Sequence, residues 1–113
     1  MPTEAGLLVL LRLAGLREID PALPREMFDA FAADLALSLP MLVLHTVNRN
    51  WEGARALAHR LKGAAASLGA TTLWDNLEEV ESTAKAGVVT PQQIRDLEQE
   101  LEATLAALRQ HLA

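Results

Sequence analysis

The sequence predicts an all-α fold, an antiparallel four-helix bundle with an additional N-terminal helix. Three observations carry that prediction. Leucine and alanine dominate the 113 residues, while Val, Ile and aromatic residues, which favour pleated sheets, are few. Apolar residues recur at spacings of three and four along most of the chain. Short stretches rich in Pro, Gly and Asn interrupt that period where turns between long helices are needed. The length suits a single domain, residues 1–113, with one core.

The first helix is expected from about Thr3 to Ile19, and DPALP at 20–24 ends it and begins the next. Leu7 to Leu11 are apolar on every side, so this helix is either deeply covered or partly a contact between two chains. The chain is otherwise read as a monomer. The second helix starts near Pro24, which the first turn accommodates at little cost. Its apolar positions Phe28, Phe31, Leu35, Leu39 and Leu42 keep their spacing across Pro40. That predicts one kinked continuous helix, with two separate helices as the alternative. NRN at 48–50 is a turn, and Asn50 is placed to cap a third helix over Trp51–Leu68. Gly69 suits the left-handed conformation that closes such a helix. A fourth helix, from about Thr71 to Ala86, turns Leu73, Leu77, Val80 and Ala84 inward and stops at Gly87. TPQQ opens the fifth: Thr90 caps, Pro91 takes the first position and Gln93 can reach back. Ile94, Leu97, Leu101, Leu105, Leu108 and Leu112 form its apolar stripe.

Composition excludes several functions. A net charge of −5 argues against a nucleic-acid partner, which would need a basic face. With no cysteine there is no disulfide framework, no Cys–zinc site and no thiol nucleophile, which is compatible with a cytoplasmic location. The apolar stretch GLLVLLRLAGL at 6–16 is too short for a bilayer span and contains Arg12. Glu4 ahead of it argues against a signal peptide, so no membrane insertion is expected. His45, His59 and His111 lie far apart with no paired-ligand spacing, and no glycine loop of the phosphate-cradling kind is present. Neither a metal nor another cofactor is expected.

The third helix holds the candidate site. At about 100° per residue, Leu57, Leu61 and Leu68 cluster with Ala54, Ala58, Ala64 and Ala65 as a core face. His59 then falls about 160° from Leu61, facing away from the core. Glu52, Arg55, Ala56, Lys62, Gly63 and Ala66 surround it on the outer side. An exposed histidine is ordinarily a solvated side chain with no task. Gly63 changes that balance, because a glycine inside a helix costs about 1 kcal/mol relative to alanine and so asks for a reason. Together with Ala56 and Ala66 it keeps the surface low, which lets another molecule's surface reach the ring. Lys62 adds a positive charge about one turn away on the same face. Neutral imidazole is a good nucleophile and ordinarily titrates near pH ~6.5. A low patch with a nucleophile and a cation suits a phosphoryl group carried by a bulky partner. No carboxylate, Asp75 included, can be paired with His59 from sequence alone.

The stretch His59, Leu61, Lys62, Gly63, Ala64 to Ser67, Leu68, Gly69 and Ala70 resembles the histidine-phosphotransfer (HPt) family of two-component relays. The lead-in NWEGARALAH, and Leu73, Val80 and Glu81 beyond it, are similar too. The likeness is specific over about residues 50–81; elsewhere it rests on helix order and Phe31. At Leu77 relatives often carry a cysteine, a core position. The resemblance implies that His59 takes a phosphoryl group from a receiver-domain aspartate, typically of a hybrid sensor histidine kinase. It would then pass the group to the aspartate of a response regulator. Lys62 would stabilise charge, and Gly63, Ala66, Ala56 and Arg55 would give clearance and docking. Magnesium and acid–base machinery would belong to the receiver, making this chain a phosphocarrier rather than an enzyme.

Two further readings stand beside this one. The bundle could dock a receiver without carrying phosphate, although an altered histidine or lysine would then be expected and both are present. A kinase catalytic domain could also phosphorylate His59 directly, as in chemotaxis kinases. A self-contained enzyme lacks a second catalytic group.

Overall fold

The three-and-four spacing of leucine and alanine produces four helices among the described residues, which are Gly15 and residues 18–112, with side chains to Gln110. In this computed structural model α1 is Leu23–Val47, α2 Trp51–Leu68, α3 Thr71–Lys85 and α4 Pro91–Leu112. Each packs on the next, and α4 closes back on α1. Short turns between neighbours make the arrangement antiparallel. The described residues contain no strand. Backbone at Gly15, Glu18 and Ile19 is helical, while the rest of the predicted first helix lies outside the described residues. So do its covering or pairing role and the side chain of Leu112.

Helix α1 runs unbroken through Pro40, so the expected continuous helix is observed and the alternative of two separate helices is not. It is also long and apolar enough to cross a bilayer by length and composition alone, a feature that residues 6–16 do not share in length. Its face carrying Phe28, Phe31, Leu35 and Leu42 is nevertheless buried in the bundle, and a buried core helix passes the same test. Leu37, Leu44 and Val47 stay exposed on its outer side.

The ends of the helices follow local chemistry. Asn50 caps α2, its side-chain oxygen accepting from the Gly53 N–H at 3.0 Å. Gly69, at φ 71°, closes α2, and the Ala70 N–H reaches the Ala65 carbonyl at 2.9 Å. Thr90 and Gln93 exchange the two bonds of a capping box at 2.8 and 3.2 Å. Helix α3 stops one residue short of the expected Ala86, before Gly87 at φ 74°. The end of α1 departs from habit, for Arg49 rather than a glycine takes the left-handed position, at φ 56°.

Alanine sets how closely α2 sits in the bundle. Ala54, Ala58 and Ala65 are fully enclosed, with Leu61 and Leu68 beside them and Leu57 and Ala64 at the margin. Small side chains at a helix contact shorten the interaxial distance. The flank of α3 is thereby held near enough for its polar residues to reach those of α2.

Candidate functional site

With Leu61 buried, its two neighbours fall about 100° to either side of it. Arg60 is carried toward α1, and Lys62 toward α3. His59 lies further round on the α3 side, and its side chain is 67 % exposed. The face assigned to α2 from the sequence is the observed one: Glu52, Ala56, Gly63 and Ala66 are exposed, and Arg55 is half-buried.

The ring of His59 is not free. Nδ1 lies 3.0 Å from Oε1 of Glu81, a carboxylate on α3 that is only 5 % exposed. The Lys62 ammonium beside it holds the Glu81 carboxyl below the usual carboxylate range, with burial opposing and the His59 contact adding to the lowering. An ionised carboxylate can only accept, so Nδ1 carries the proton and donates it. In the neutral ring the lone pair then lies on Nε2, the nitrogen that Glu81 does not engage. One contact sets tautomer and orientation together.

Lys62 is more enclosed than a solvated outer lysine, with 14 % of its side chain exposed. Its Nζ pairs with Glu78 and lies 2.6 Å from Oε2 of Glu81, an ion pair without the angle of a directed hydrogen bond. It also stands 5.0 Å from the centre of the Trp74 ring. These carboxylates, Glu78 first, raise the Lys62 pKa above its ordinary value. Glu81 therefore joins His59 to Lys62, and the cluster holds two carboxylates against one ammonium.

The remaining predicted residues sort by role in the geometry. Arg55 turns to Glu52, its Nε donating at 3.1 Å, which raises the Arg55 pKa and lowers that of Glu52. A Cβ built on Gly63 meets nothing within 4 Å, so the glycine is not demanded by packing. Gly53 is the contrary case, since a Cβ there would come within 2.9 Å of the His45 ring and 2.7 Å of the capping amide of Asn50.

A family model for the Hpt domain matches residues 25–111. The chain belongs to the Hpt domain family. Its members carry out histidine phosphotransfer in two-component phosphorelays, as carriers that interact with receiver and response-regulator proteins. Comparison with curated proteins and with solved structures gives no match. Among the described residues of this Hpt domain no group of three His, Asp or Glu side chains could hold a metal ion.

Within the Hpt domain, Glu78, Trp74 and the pairing of Glu81 with His59 are what residue-by-residue reading missed. Trp74, Glu78 and Glu81 stand at i, i+4 and i+7, one flank of α3 beside its core row Leu73, Leu77, Val80 and Ala84. That spacing was the available signal. It marks a shared flank, but not which helix the flank meets.

Proposed function

We propose that His59 is the phosphoacceptor of a relay, charged from the aspartyl phosphate of a receiver domain and discharged to the aspartate of another. The contact between His59 Nδ1 and the buried Glu81 carries this reading. It supports a ring whose Nε2 lone pair faces an incoming group. As that lone pair bonds to phosphorus, the bond from phosphorus to the aspartate oxygen breaks and its electron pair returns to the carboxylate. Positive charge develops on the imidazole as this happens. Glu81, ionised and within hydrogen-bond distance, stabilises that charge without needing to move. Lys62, one turn from the ring on the α3 side and paired with the same Glu81, offers a cation for the phosphoryl oxygens.

Gly63, Ala66 and Ala56, with Arg55 at the margin, form the surface on which a receiver would seat. A receiver brings its own reactive aspartate at the bottom of a shaped surface, so a bulky side chain beside His59 would hold it off. Gly63→Gln tests this, because position 63 lies about 40° from His59 on the exposed side of α2. Transfer from a phosphorylated receiver is expected to slow at least tenfold in the variant. Labelling by phosphoramidate, a small donor, should remain close to the parent rate. An unchanged ratio of the two rates would remove the docking surface. Label taken only from a kinase catalytic domain, and never from a receiver, would reverse the assigned donor.

A further inference from the structure

The cation expected to greet a phosphoryl group is already engaged. Lys62 faces Glu78 and Glu81 together, with the Trp74 ring beside it. Of the two carboxylates only Glu81 touches the imidazole. Glu78 makes no hydrogen bond or ion pair with His59 and is the more exposed, with 42 % of its side chain accessible. Orienting the ring therefore does not require it, and its ion-pair partner among the described residues is Lys62. A phosphoryl group on Nε2 brings roughly two negative charges to a cluster that already holds more carboxylate than ammonium. Any hold that Lys62 takes on that group competes with its pairing to Glu78.

We propose that Glu78 is a positioning residue that sets how readily the site accepts and keeps a phosphoryl group, by competing with that group for the Lys62 ammonium. This rests on His59 being the phosphoacceptor. A carrier must release its group as well as take it. An unopposed lysine beside the phosphorylated ring would favour retention. Glu78 weakens that hold, keeping phosphohistidine near enough in free energy to its donor and acceptor for transfer in both directions. It also holds Lys62 against Trp74 while the site is empty, so the lysine has a fixed place to return to.

The test uses the full chain with Glu78→Gln, Lys62→Met and the double substitution, each labelled with phosphoramidate. In that reaction the Nε2 lone pair forms the new bond to phosphorus while the donor's P–N bond breaks and ammonia departs. The ring is left protonated at Nδ1 against Glu81. Labelling rate and phosphohistidine lifetime are read by intact mass, exploiting the acid lability of the label. Glu78→Gln should raise both by about two- to fivefold, the range that a partly exposed ion pair is worth. In the Lys62→Met background the same change should have no such effect, which a merely structural role for Glu78 would not produce. A labelled parent whose rate and lifetime are unmoved by Glu78→Gln overturns this inference alone. So does an equal gain with and without Lys62, which would make Glu78 a bare repelling charge. A parent chain that takes no label overturns the acceptor reading, and this inference with it.

Discussion

His59 and Arg60 are consecutive residues of one helix, yet they enter polar clusters of opposite design. On the α1 side, Arg60 Nη1 donates to both oxygens of Asp34 at 2.9 and 2.8 Å, and Nη2 donates to the Ser38 hydroxyl at 2.5 Å. Ser38, itself buried, donates in turn to Asp34 at 2.9 Å. One positive charge meets one negative charge, and the donors and acceptors close on each other. On the α3 side, two carboxylates share one ammonium, and the imidazole that one of them, Glu81, holds stays largely exposed. Interhelical ion pairs thus serve two ends in this molecule. A balanced, closed cluster joins two helices. An unbalanced one holds an exposed imidazole at the surface, the place proposed for transfer.

The largest expected effect breaks this comparison in function. His59→Gln should abolish acid-labile labelling by phosphoramidate while costing no more than about 1 kcal/mol of stability, since the glutamine amide retains a donor for the buried Glu81. Arg60→Gln should do the reverse. It leaves labelling intact and lowers stability by about 0.5–1.5 kcal/mol, since it removes charge-assisted bonds that are partly exposed. Labelling assays beside denaturant melts read both quantities. A label lost in Arg60→Gln would place both clusters in the transfer site.

Beneath the two clusters lies the residue that separates them. Leu61 is 1 % exposed, and Leu61→Ala should cost about 2–5 kcal/mol through lost burial and the cavity left behind. Ala66→Ser, on the exposed face, should change stability by less than about 0.5 kcal/mol. Equal losses in urea melts would mean that α2 is rotated from the orientation described.

The smallest effect sharpens the comparison by pH. Asp34 and Glu81 both titrate below their ordinary values of 3.8 and 4.5, through Arg60 and Lys62 respectively. A lowered carboxyl pKa stabilises the fold fully above the unfolded value, and that stabilisation drains as pH falls through the lowered one. Stability should therefore hold near neutrality and decline below about pH 4.5, where these groups bind protons in the unfolded chain first. Asp34→Asn and Glu81→Gln should each make that decline shallower, seen as a smaller shift of the urea midpoint on acidification. Of the two, only Glu81→Gln should also slow labelling.

Much of this was legible along the chain, and the physical reason is locality. Helix period, caps and breakers act within a few residues, so the faces of α2, the Asn50 cap, the Gly69 closure and the Thr90–Gln93 box could be read from neighbours alone. The same geometry turned His59 outward and left Gly63 without a packing role. Which partners those faces would meet was decided elsewhere. Glu81 stands 22 positions from His59, and Asp34 stands 26 from Arg60. Contacts at that distance depend on the register and spacing between whole helices, which result from many apolar side chains packing at once. No local pattern in α2 records where the flank of α3 will come to rest. The outward position of His59 is a property of the sequence, whereas the contact that orients its ring, the restraint on Lys62 and the pairing of two carboxylates with that one ammonium belong to the assembled bundle.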